Sequence, residues 1–215
     1  MKKHIICIGD SNTHGLCADP TDSADGGNRF NEEERWPCLL QAQLGPDYLV
    51  IEEGQSGRTT VFDDPCYESR AELPLIYSQL MSHEPIDLMI LMLGTNDSKE
   101  WLGVTPPAMG WGMERLLQKA MSVDCWRNRK PNILLVAPAP IQEGYKSTYV
   151  GQGTSCPEKT AMLSGIYAEI AERYGFAFLD ADGCAINQID YVHLTRLGHK
   201  QLAERISAIV PTLLD

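Results

Sequence analysis

The chain has 215 residues, enough for one domain with a substantial core, and its 43% apolar and 22% charged residues are ordinary for a globular protein. Its 29 acidic residues outnumber 18 Lys and Arg, for a formal net charge of -11, and no basic run interrupts the excess. Nucleic acid and anionic membrane surfaces are thereby excluded as expected partners, because contact with phosphates needs clustered cations.

The chain opens with Met-Lys-Lys-His-Ile-Ile-Cys-Ile-Gly-Asp, which lacks the length and the small-residue cleavage site of a signal peptide. It reads instead as a first strand, His4–Gly9. A turn-rich stretch, Cys17–Glu32, leads to a helix at Glu33–Leu44 and a strand at Tyr48–Glu52. A helix at Ala71–Ser82 precedes Leu88–Leu93, which is apolar at every position, as a strand covered on both faces should be. Trp101–Trp111 carries two tryptophans among Gly and Pro and reads as a loop, running into a helix at Met109–Val123. The strand Ile133–Ala137 and the loop Pro138–Cys156 follow. In the helix Pro157–Tyr174, Leu163, Ile166, Tyr167, Ile170 and Ala171 recur at helical spacing. After a strand at Phe176–Leu179, a last helix at Thr195–Leu213 offers Leu197, Leu202, Ile206 and Ile209 as its apolar stripe.

Strand and helix alternate throughout, with no repeat, low-complexity tract or linker-like shift in composition. The pattern predicts a single α/β domain over 1–215, a flavodoxin-like three-layer α/β/α sandwich with a five-stranded parallel sheet. No apolar run approaches a membrane span, and a cytoplasmic protein is expected. Seven cysteines without a CxxC pair fit neither a disulfide framework nor a zinc site and read as unpaired thiols.

In an open parallel sheet, ligands bind beyond the carboxyl ends of the strands. Four polar segments are expected there: Gly9–Gly15, Gly54–Thr60, Gly94–Asp97 and Asp190–His193. The spacing of Asp190 and His193 lets a carboxylate accept from the imidazole Nδ1–H, which leaves Nε2 as a base. Read alone, the pair is equally a helix-capping aspartate and a surface histidine. His199 competes as a base but is assigned to the wet face of the last helix. Ser11 stands where a tight turn can present its hydroxyl to such a base, although Gly-Asp-Ser alone is equally a turn with Asp10 as cap. No Gly-x-Ser-x-Gly elbow occurs, and Ser56, in another Gly-flanked turn, ranks second as nucleophile. The N–H groups of Ser11 and Gly57 and the Asn96 amide could together receive an oxyanion.

These four segments, in this order, resemble the blocks of the SGNH (GDSL-type) hydrolase family. Gly9-Asp10-Ser11 is similar to the first, Ser56-Gly57-Arg58-Thr59 to the second, Gly94-Thr95-Asn96-Asp97 to the third and Asp190-Tyr191-Val192-His193 to the last. Arg35-Trp36-Pro37, Glu53–Thr60 and Asp63-Asp64-Pro65 look most like the bacterial arylesterase/acyltransferase branch. The resemblance implies a serine esterase acting on small acyl esters through an acyl-enzyme on Ser11, with His193 as base, Asp190 orienting it, and no cofactor or metal. It also implies a small-molecule ester as partner, and leaves a homo-oligomer open because some members are oligomers. Asn12-Thr13-His14 stands where that branch usually has Leu-Thr-Trp, which places Asn12, with Arg58 and Trp101, in the expected substrate pocket. Trp101, Met109, Trp111 and Met113 otherwise read as core or interface, and Asp63 and Asp64 as a solvated carboxylate pair. Two other readings stand beside hydrolysis. One is acyl transfer to an alcohol, sugar or peroxide acceptor. The other is a non-catalytic flavodoxin-like module using Gly9–Gly15 as an anion cradle, which leaves Asn96, Asp190 and His193 unexplained.

Overall fold

The computed structural model of the chain describes residues 1–145 and 153–214, so the expected loop Pro138–Cys156 lies partly outside the described residues. Five parallel strands form one sheet: β1 (Lys3–Gly9), β2 (Tyr48–Gly54), β3 (Leu88–Met92), β4 (Ile133–Ala137) and β5 (Ala177–Asp180), in the order β2-β1-β3-β4-β5. Every residue of β3 and β4 is buried, which explains their unbroken apolar runs. Side chains alternate between two cores. Ile6, Ile8, Met89, Leu91 and Leu135 face one of them, whereas Ile5, Cys7, Leu88, Ile90, Leu134 and Val136 face the other.

The first core is closed by α3 (Ile76–Ser82), α4 (Pro106–Met121) and α6 (Leu163–Tyr174). The second is closed by α2 (Trp36–Leu44) and α7 (Arg196–Leu214), which pack on each other. A short α1 (Ser11–His14) follows β1, and α5 (Cys156–Ala161) precedes α6. The expected α/β three-layer architecture is therefore observed.

Several boundaries differ from expectation, each for a local reason. The third helix starts at Ile76 instead of Ala71, because Pro74 disfavours helical geometry in the residue before it. The helix expected from Met109 starts at Pro106, where Thr105 caps the Ala108 N–H at 3.4 Å and proline suits the first turn. Trp111 thus belongs to α4 and is 70% exposed, while Met109 and Met113 of the same helix are core. The long helix from Pro157 is two helices that meet at Met162.

The stripe of α7 also shifts. Leu197 is 57% exposed, and the buried face runs through His199, Leu202, Ala203, Ile206 and Val210. His199 is therefore in the core and not on the wet face. Its Nδ1 accepts the Trp36 N–H at 3.2 Å and its ring meets Phe30 edge-on at 4.9 Å. Burial, with the charges of His193 and Arg35, pushes its pKa down to about 3, so it stays neutral. None of the seven cysteines is disulfide-bonded. Among the described residues no helix is long and apolar enough to cross a membrane.

Candidate active site

Ser11 opens α1 directly beyond the end of β1. Asp10 caps the turn by accepting the Asn12 N–H at 3.0 Å, and Gly15 closes it in the left-handed conformation. The turn nests against the paired strand ends Gly9 and Gly54. A Cβ on Gly54 would stand 2.6 Å from the Thr13 carbonyl carbon, and one on Gly9 would stand 2.9 Å from the Met92 oxygen. Both positions need glycine because backbone passes where a side chain would be.

The last segment before α7 returns to this turn. His193 Nε2 lies 2.8 Å from Ser11 Oγ, and His193 Nδ1 lies 2.6 Å from Asp190 Oδ2. The other Asp190 oxygen accepts the N–H groups of Val192 and His193 at 2.9 and 3.0 Å. Burial works to raise the Asp190 carboxyl, but the hydrogen bond and charge of His193 and the two backbone N–H groups outweigh it. The group is held well below the usual carboxylate range. With Nδ1 committed to a carboxylate, Nε2 is the nitrogen left to take a proton from the serine. No histidine nitrogen comes within hydrogen-bonding distance of the Ser56 hydroxyl among the described residues, whereas one reaches Ser11.

The loops after β2 and β3 are joined to each other beside the serine. Gly57 has φ +81°, a conformation glycine adopts without strain. Neither its N–H nor that of Ser11 has an acceptor among the described residues. Asn96 donates from Nδ2 to the Arg58 carbonyl at 3.1 Å, and an amide has a second N–H to offer. Behind it, buried Asp97 accepts the Thr60 N–H at 3.1 and 3.2 Å and the Thr60 hydroxyl as well. Burial, with Asp10 nearby, pushes the Asp97 carboxyl up to about 6 against the pull of those hydrogen bonds.

Two expectations about the pocket and one about a carboxylate pair are corrected. Arg58 is buried, with its guanidinium on the carbonyls of Gly9 and Glu53, on Gln55 and beside Glu72 at 2.8 Å. It ties the strand ends together and has no face for a substrate. Asn12 is buried too, with its amide held by Val192 and Leu194. Asp64 is buried, not solvated, holding Lys99 Nζ at 2.9 Å and the Trp101 indole N–H at 3.1 Å. Trp101 is half-buried against that loop, with Lys99 Nζ 5.3 Å from its ring centre. Among the described residues no group of three or more His, Cys, Asp or Glu is arranged to hold a metal ion.

A sheet edge that presents a serine hydroxyl to an imidazole, beside idle backbone donors, has the parts of an acyl-transfer site, and the comparisons with known proteins agree. A carbohydrate acetylesterase family member from Sinorhizobium meliloti is 34% identical, covers 99% of each chain and superposes with a TM-score of 0.89. The M. smegmatis aryl esterase is 32% identical over 99% of this chain and 100% of its own, with a TM-score of 0.84. A lipase/acylhydrolase from Enterococcus faecalis, at 16% identity, 99% and 97% coverage and a TM-score of 0.71, shares the fold. No curated protein matches the sequence significantly. The chain is a carboxylic ester hydrolase. It belongs to the GDSL-like lipase/acylhydrolase family, whose model matches residues 7–201.

Proposed function

We propose that the protein cleaves short-chain acyl esters, acetyl esters above all, through a covalent acyl-enzyme on Ser11. The observation that carries this reading is the contact line from Asp190 through His193 to Ser11, 2.6 Å on one side of the imidazole and 2.8 Å on the other. Ser11 Oγ attacks the ester carbonyl carbon as His193 Nε2 takes its proton. The carbonyl oxygen, now negative, is received by the N–H groups of Ser11 and Gly57 and by the free N–H of Asn96. Collapse of this intermediate expels the alcohol, which leaves with the proton from Nε2. Water then gives a proton to the same nitrogen and attacks the acyl-serine; the bond to Ser11 Oγ breaks, the acid leaves, and Nε2 returns its proton to the serine. Asp190 keeps the ring in the tautomer that the sequence of proton transfers needs and stabilises the imidazolium.

The acyl preference is supported by the acetylesterase among the neighbours, whereas the aryl esterase supports ester cleavage without bearing on the acyl half. Hydrolysis of p-nitrophenyl acetate and butyrate by the parent, Ser11→Ala and Ser56→Ala tests both parts. Ser11→Ala should fall by about 1,000-fold or more while Ser56→Ala keeps its rate. A Ser11→Ala protein that retains its turnover would remove Ser11 as nucleophile. A preference for butyrate over acetate would reverse the acyl assignment alone.

A further inference from the structure

The turn that carries Asp190 and His193 contains a strained residue: Tyr191 has φ +61°, the left-handed region that side-chain-bearing residues avoid. Such a turn persists only where its surroundings over-determine it. Two buried asparagines do so from opposite sides. Asn187 donates from Nδ2 to Asp190 Oδ1 at 2.8 Å and to the His193 carbonyl at 2.7 Å. Its Oδ1 accepts the N–H groups of Ile189 and Asp190, both at 2.9 Å. Asn12, the residue after Ser11, accepts the Leu194 N–H at 2.9 Å and donates to the Val192 carbonyl at 3.4 Å. The two residues that flank His193 are thus bonded to the neighbour of the nucleophile. Both side chains are buried, Asn12 at 4% and Asn187 at 7% exposure, so neither is free for a substrate.

We propose that Asn12 and Asn187 are positioning residues that set where His193 stands between Ser11 and Asp190. Asn12 fixes the base relative to the nucleophile, and Asn187 fixes the acid relative to the base. The proposal rests on the reading of Ser11 and His193 given above. It also assigns a purpose to Asn12, whose amide grips the two residues that flank the base.

The test is steady-state kinetics on p-nitrophenyl acetate with Asn12→Leu and Asn187→Ala, each made in the parent and in a His193→Ala background. In the parent, kcat should fall about 10- to 100-fold with KM within about twofold, since a base displaced by roughly 1 Å loses that much. In the His193→Ala background either substitution should change the residual rate by less than about twofold, because its effect passes through the missing imidazole. Asn12→Asp retains the acceptor for the Leu194 N–H and should keep more activity than Asn12→Leu, which also covers the case of a leucine variant that does not fold. Equal losses with and without His193 would show a general structural role and overturn the proposal, as would unchanged kcat in both asparagine variants. A Ser11→Ala protein with full activity would instead overturn the underlying nucleophile assignment.

Discussion

Asn96 spends one amide N–H on the Arg58 carbonyl, which fixes the direction of the other. That arrangement gives a residue-level prediction: Asn96→Ala should lower kcat for p-nitrophenyl acetate by about 100- to 1,000-fold with little change in KM, as loss of a donor used in the transition state does. A change confined to KM would make Asn96 a ground-state binding group. At this scale, the residues of the proposed triad and oxyanion site are legible as candidates because their types and order are demanding: a serine after a strand, an Asn-Asp after Gly-Thr, an Asp three before a His. Their supports are not. Arg58, Asn12 and Asp64 look like pocket or surface groups in a sequence, since polarity is visible there and a buried partner is not. His199 was misplaced because a histidine in a helix reads as polar. Its spacing to Leu202, Ala203 and Ile206 put it on the apolar stripe. Asn187 lies three residues before Asp190, and an Asx turn there was the one available signal.

The element that matters most for the site is α1, a single turn whose position depends on two strand ends that carry no side chain. Gly54→Ala should push this turn away from β2, since the added Cβ meets backbone atoms of Thr13 and His14 that cannot swing aside. A fall in kcat of at least about tenfold is expected, because a nucleophile displaced by 1 Å can lose as much as 100-fold. Full activity in a folded Gly54→Ala protein would show that the turn adjusts without cost. Elements of this kind are poorly read from sequence. The five strands were recognisable from apolar runs, yet β2 runs two residues beyond Glu52 to Gly54 because ladder pairing with β1 continues whether or not the side chains are apolar. The start of α4 was signalled by Thr105-Pro106, a capping residue followed by proline, and the break between α5 and α6 by nothing comparable.

For the molecule as a whole, two buried acids set the direction in which stability depends on pH. Asp97 is pushed up to about 6 and Glu72 to about 7, in each case by burial first. Between the ordinary carboxylate range and those values the folded chain holds protons that the unfolded chain has already lost. The stability these two groups contribute therefore falls as pH rises through that window. Asp190 and Asp64, whose carboxyls are held low, act in the opposite sense at more acid pH, and buried His199, which only the unfolded chain protonates between about 3 and 6.5, opposes the two acids below pH 6.5. The thermal midpoint is expected to be lower at pH 8 than at pH 6.5, above the range in which His199 opposes the fall, and Asp97→Asn should remove the falling contribution below pH 6. A midpoint that rises over this interval would contradict the burial of these acids. The architecture itself was open to sequence reading because each layer leaves a different period in the chain, two for the strands and 3.6 for the helices.

Ser11 and His193 touch although 182 residues separate them. Synthesis therefore releases the proposed nucleophile long before its base, and the segment that carries the base leads into α7, which packs on α2. Until the two meet, the serine lacks the base that the proposed reaction needs. Appearance of hydrolytic activity during refolding would then report that the His193 segment has reached Ser11, whatever the order in which the rest of the chain folds.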